Sequence, residues 1–121
     1  MAGARQTVLW TQFATSDATR KKIWTAPERA ILVWVSAGNR EAAANTFRLF
    51  QRPGGGSADE RDAILKGSLA ASAADLIYQA DMPELGITFE EGDELYLEVS
   101  DADQVGVRLG FIPVRELFMR L

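Results

Sequence analysis

Leu95-Tyr96-Leu97-Glu98-Val99 and, six residues on, Val105-Gly106-Val107-Arg108-Leu109-Gly110-Phe111 are the stretches on which the fold turns. In both, apolar residues alternate with polar or small ones at a period of two, the pattern of a strand with one buried face. Ser100-Asp101-Ala102-Asp103-Gln104 between them is turn chemistry. Strand, short link and strand predict a hairpin. Upstream, Glu90-Glu91-Gly92-Asp93 reads as another turn.

The same signal recurs at short intervals toward the N-terminus. Strands are expected over residues 7–13, 22–25 (stopped by Pro27), 30–36, 45–52, 63–67 and 75–79. Residues 69–74 are alanine-rich and fit a helical turn or a loop. Residues 53–62, opening with Pro53-Gly54-Gly55-Gly56-Ser57, predict a flexible loop, because glycine loses most backbone entropy in a strand. The tail, 115–121, stays apolar to its end and fits a closing strand or a short helix. About eight or nine short strands in 121 residues predict one all-β domain over 1–121, an antiparallel β-sandwich of jelly-roll-like type.

Composition narrows the function. The hydrophobic share is 47% and the charged share 25%, ordinary for a globular chain. The net charge is -4, and Arg20-Lys21-Lys22 is the only basic run, so nucleic acid is not an expected partner. The longest apolar run, residues 30–35, is too short for a membrane span, and residues 1–6 lack the apolar region of a signal peptide. Cysteine and histidine are both absent, which removes thiolate sites, Ser-His-Asp triads and the commonest general base. No enzyme activity and no cofactor are expected.

Individual motifs read in the same direction. Gly54-Gly55-Gly56-Ser57 lacks the lysine and following helix of a phosphate-binding loop. Asp93, Asp101 and Asp103 lack the further ligands of a calcium loop, so no metal site is assigned. Glu90, Glu91 and Asp93 fall in a turn expected to be wet, not in a buried acid–base pair. Trp10, Trp24 and Trp34 leave core and subunit interface equally open. If Ile31, Val33 and Val35 share one face of their strand, Leu32 and Trp34 share the other, and both faces are apolar. Two apolar faces and an apolar tail make Trp34, Leu32, Leu117, Phe118, Met119 and Leu121 interface candidates, with the tail expected to dock on a neighbouring subunit.

Between residues 21 and 114 the order of features resembles small virion proteins of tailed bacteriophages, of the minor-tail, fibre-associated or head-decoration kind. The resemblance runs through Ile23-Trp24-Thr25-Ala26-Pro27, the apolar strand 30–35, Ala37-Gly38-Asn39 and Thr46-Phe47-Arg48-Leu49. It continues through Gly55-Gly56-Ser57-Ala58-Asp59, residues 63–69, Asp75-Leu76, Phe89-Glu90-Glu91-Gly92-Asp93-Glu94-Leu95, and Ser100-Asp101-Ala102-Asp103 before Val105-Gly106-Val107. It implies a β-sandwich that assembles on a virion, after synthesis in the host cytoplasm, as a homo-oligomer in contact with other capsid, neck or tail proteins. The N-terminal strand and the charged, aromatic tail depart from it. The alternative is a small module that binds carbohydrate or a host receptor through exposed aromatic residues.

Overall fold

Alternating side chains fold into two antiparallel sheets in the computed structural model, which describes residues 10–15, 19–54 and 58–118. The strands are β1 (Trp10–Thr15), β2 (Lys21–Thr25), β3 (Ala30–Asn39), β4 (Asn45–Arg52), β5 (Ala63–Leu69), β6 (Ala74–Gln79), β7 (Ile87–Phe89), β8 (Glu94–Val99) and β9 (Val105–Pro113), followed by a short helix α1 (Val114–Phe118). One sheet has the order β1-β9-β3-β6, with β7 continuing β6 along the same side of β3; the other has the order β2-β8-β4-β5.

Four of the pairings trace a single ribbon. β4 pairs with β5, β3 with β6 and β7, β2 with β8, and β1 with β9. The ribbon wraps on itself, and β3·β9 and β4·β8 close the wrap. A long antiparallel ribbon rolled into two sheets is the jelly-roll architecture.

The inner faces supply the core. Leu32, Val35, Phe47, Leu49, Leu69, Phe89, Leu95, Leu97, Val99, Val105, Val107, Leu109 and Phe111 are buried together between the sheets. Each fully buried Leu, Val or Phe contributes about 1.5–3 kcal/mol. Aromatic rings fill one end: Trp24 stacks on Phe111 at 3.9 Å, and Phe89 meets both edge-on. The opposite end closes with polar groups. Asn39 Oδ1 accepts from Glu41 N and Asn45 Nδ2, Asn39 Nδ2 donates to the carbonyls of Ala43 and Ala70, and Ser100 Oγ donates to Asn45 Oδ1. Both buried asparagines thus have partners, as burial requires.

Three expectations are corrected. The expected hairpin of β8 and β9 does not form: β8 pairs with β2 and β4, while β9 pairs with β1 and β3, so residues 100–104 cross from one sheet to the other. Alternation alone cannot separate the two cases, because both strands face the same core either way. The simple division of β3 into two faces also fails. A register shift between Leu32 and Trp34 leaves Val33 unmatched against β9. The bulge resets the alternation, so Ala30 and Leu32 face the core before it, Val35 and Ala37 face it after, and Ile31 and Val33 face outward.

The loop expectation changes in its second half. Residues 55–57 lie outside the described residues, but Asp59 caps a 3-10 turn, Glu60–Asp62, and Ala58 is buried with its carbonyl accepting from Arg20. The short strand β7 and the 3-10 turn before it, Pro83–Leu85, carried no sequence signal that separated them from loop.

Candidate interaction site

The outer face of the five-stranded sheet carries a second, smaller apolar cluster. Ile31 and Val33 of β3 and Ile112 of β9 are buried there, and Trp34, Val114 and Leu117 pack against them. The indole of Trp34 lies over Gly110, where a Cβ would stand 2.1 Å from Trp34 Nε1. α1 folds back over this cluster and is tied down by Val114 N donating to Arg29 O at 3.0 Å and by Arg115 Nε donating to Glu28 Oε1 at 2.7 Å.

The six interface candidates therefore separate. Leu32 is fully buried in the inter-sheet core and offers nothing to a neighbour; the bulge that follows it puts Trp34 on the opposite face. Leu117 packs on its own chain and not outward as expected of a docking tail. Trp34 is half-buried on the outer face. Phe118 ends α1 beyond the last described side chain, and Met119 and Leu121 lie outside the described residues.

Beyond Trp34 the same face becomes a trough of about 710 Å³. Its floor is small: Ser36 and Gly38 on β3, Ala74 on β6 and Gly106 on β9, with Leu76 and Arg108 along the sides. Arg40, Asp103 and Gln104 stand at its end, where Arg40 N donates to Gln104 O. The volume is of the size that takes a small ligand.

Along the β6 side the surface is apolar and exposed. Leu76, Met82 and Leu85 have 59%, 53% and 65% of their surface open to solvent. They sit on β6 and on the segment containing the 3-10 turn, an edge with no strand beyond it among the described residues. No sequence period marks these residues, because Met82 and Leu85 lie between strands.

The four-stranded sheet covers its outer face differently. Phe50 is fully buried outside the inter-sheet core, with the guanidinium of Arg20 4.1 Å from its ring centroid and that of Arg48 at 5.1 Å. Arg20 and Arg48 both bond Glu60, and Arg48 also bonds Glu98. Arg48 first, and then Arg20, pulls the Glu60 carboxyl down from its ordinary 4.5 to about 2. Nearby, Lys22 bonds Glu94 at 3.0 Å, which holds that carboxyl below its usual range, and Tyr96 donates to Glu94.

The acidic motifs are absorbed into turns. Glu90 pairs with Arg29, while Asp93 Oδ2 accepts from Glu90 N and Gln51 Nε2. Asp93 and Asp101 flank opposite ends of β8, so the three aspartates singled out in the sequence are not brought together. No cluster of three metal-ligating side chains occurs among the described residues. Glu41 and Asp101 do meet, and the Asp101 carboxyl beside it raises the Glu41 pKa. The pair lies beside exposed turns, with no nucleophile positioned against it.

Fold and surface together define the class: an antiparallel jelly roll with one apolar outer layer, one charged outer layer and an exposed apolar edge. No family model and no curated protein matches the sequence. Solved structures do match in shape. A chain of the infectious bursal disease virus Gx strain is similar over 90% of this chain and 32% of its own length, at 11% identity and TM-score 0.41. Eiger TNF from S. frugiperda is similar over 85% of this chain and 84% of its own, at 8% identity and TM-score 0.49. PirA is similar over 88% and 92%, at 10% identity and TM-score 0.38. This chain spans about a third of the viral chain it matches. The viral likeness is to viral particles in general and not to tailed-phage proteins in particular. At these identities and scores the comparisons carry no argument about family or role.

Proposed function

We propose that the chain is a non-enzymatic virion structural protein of the head-decoration, neck or tail-accessory kind, acting by protein–protein assembly. The observation that carries this reading is the open edge of the five-stranded sheet with Leu76, Met82 and Leu85 exposed along it. Unprotected edges and clustered exposed apolar residues are where sheet proteins make contacts. The partners on this reading are further copies of the chain and other virion proteins. Trp34, half-buried at the boundary of the apolar layer, stays an interface candidate on this reading, as do Phe118, Met119 and Leu121, whose side chains lie outside the described residues. The test is composition. Purified particles from a culture expressing the chain should contain it at a fixed copy number relative to the major capsid protein, and particles lacking it would overturn the reading.

The trough favours a second reading, a carbohydrate- or receptor-binding module on a phage tail or fibre. Its small-residue floor, with Gln104 and Asp103 at its end, leaves room for a polar ligand such as a glycan. Binding to a glycan array that is lost in Gly106→Trp would support it. An array without signal would remove it.

A further inference from the structure

We propose that the β6 edge docks on the β2 edge of a second copy of this chain, acidic edge against basic edge, in a head-to-tail contact. The inference rests on the assembly reading above and adds the partner and its orientation.

The argument begins with an asymmetry of charge. No lysine or arginine occurs between Lys66 and Arg108. Three acids of that span, Glu90, Glu94 and Glu98, form ion pairs with Arg29, Lys22 and Arg48. Asp75, Asp81 and Glu84 do not: all three are exposed, and none has an ion pair among the described residues. They interleave with the exposed Leu76, Met82 and Leu85 along β6 and the 3-10 turn that follows it.

β2 carries the opposite sign. Residues 19–27 hold Arg20, Lys21 and Lys22 and no acid. Arg20 and Lys22 already bond Glu60 and Glu94, while Lys21 is exposed with no ion pair among the described residues. The methylene stem of a lysine can cover apolar surface while its ammonium meets a carboxylate.

Both strands are edges among the described residues, where β6 pairs with β3 and β2 with β8. They lie on opposite flanks of the sandwich. Trp10 of β1 meets Trp24 of β2 on one flank, and Ile77 of β6 reaches toward Gly67 of β5 on the other. Lys66 lies on β5, the other edge of the four-stranded sheet, opposite Arg48 and not on the β6 or β2 edge.

Charge also excludes the symmetric alternatives. Two β6 edges would set Asp75, Asp81 and Glu84 against their own copies, and two β2 edges would set lysine against lysine; like charges facing across strands repel. Among pairings of these two edges, the unlike one is complementary. A contact between different patches on opposite flanks is heterologous, and it propagates into a ring or an open filament.

Sedimentation velocity on the full chain tests this. The wild type should self-associate, more weakly as salt rises. Asp81→Lys/Glu84→Lys makes both edges basic, and Lys21→Glu makes the β2 edge less basic. Each variant alone should associate at least about tenfold more weakly. Mixed together they should associate again, because the reversed edges then face complementary partners. A monomeric wild type, variants that associate like the wild type, or a mixture that stays apart would each overturn the proposal. Circular dichroism checks that the variants fold. If either does not, Leu85→Ser takes its place, with the same tenfold weakening expected and an unchanged association overturning the contact. Particles that contain the chain while charge reversal leaves association untouched would sink the edge pairing alone; absence from particles would sink the assembly reading.

Discussion

The two outer faces of the sandwich solve one problem with different chemistry. On the five-stranded sheet, Ile31, Val33 and Ile112 are excluded from water by further apolar groups, Trp34 and Leu117. On the four-stranded sheet, Phe50 is excluded from water by the planes of two guanidiniums held in place by Glu60 and Glu98. A guanidinium can lie on an aromatic face because it is weakly hydrated and attracted to the ring. The arrangement has a desolvation cost: Arg20 Nε is buried without a partner among the described residues. The packing of the apolar layer itself does not depend on charge, although the Arg115–Glu28 pair helps to hold α1 over it, while the charged layer depends on ion pairs throughout.

The sharpest test asks whether the charged lid is as dry as the apolar one. Phe50→Ala should cost about 3–5 kcal/mol in chemical denaturation, the range for a fully buried phenylalanine. A loss below about 1 kcal/mol would mean that water already reaches the ring, and the two faces would not be equivalent. On the other face, Gly110→Ala should cost about 1–3 kcal/mol, because its Cβ collides with three atoms of the Trp34 ring and the indole must move. Tryptophan fluorescence should shift with it. Gly38→Ala is the control on the same sheet: its nearest neighbour is Ala74 Cβ at 4.0 Å, so stability should be unchanged or slightly raised.

A smaller effect is expected from Leu117→Ala, about 1–2 kcal/mol in thermal or urea unfolding, since the side chain is only half-buried. If it left stability untouched but weakened self-association, Leu117 would belong to an interface and the apolar layer would be incomplete in the monomer. The smallest effect concerns acid. The Glu60 carboxyl is held down at about 2 against an ordinary 4.5. Its contribution is therefore present above about pH 4.5 and is lost as the pH falls toward 2. Glu60→Gln should lower the neutral plateau of a melting-temperature profile slightly and flatten that part of the acid limb, so that the two profiles converge toward pH 2. A profile with the wild-type slope would show that the ion pairs add nothing to the lid.

Much of the architecture was legible because period-two patterning reports a half-buried strand directly. β4 was read with the bounds 45–52 that it has, and β8 and β9 within one or two residues at each end. Which sheet a strand joins was not legible, and the misread hairpin of β8 and β9 follows from that. Nor was the bulge at Val33, since an added residue in an unbroken apolar run leaves no mark on the pattern. The charged lid was invisible for another reason: Arg20, Arg48, Glu60 and Glu98 come from four separate segments, and Glu60 sits in a stretch read as loose polar loop. Trp34, left open between core and interface, lies half-buried on the outer face, while Leu32 was assigned with it to the same face by the uncorrected alternation.

The rolled ribbon also sets an order in time. Its tip is the loop between β4 and β5, the pairing that closes the shortest stretch of chain among the ribbon's four. Each later pairing encloses the earlier ones, until Trp10 meets Phe111. Closing a longer stretch costs more chain entropy, and a fold dominated by such contacts reaches its native state on the slow millisecond-to-second side of small proteins. Zipping outward from the tip lets each pairing shorten the next closure. The residues beside the glycine run, silent in every chemical reading of the sequence, then govern how fast the rest of the molecule can begin to fold. Lengthening that loop should slow refolding in a stopped-flow experiment far more than it speeds unfolding.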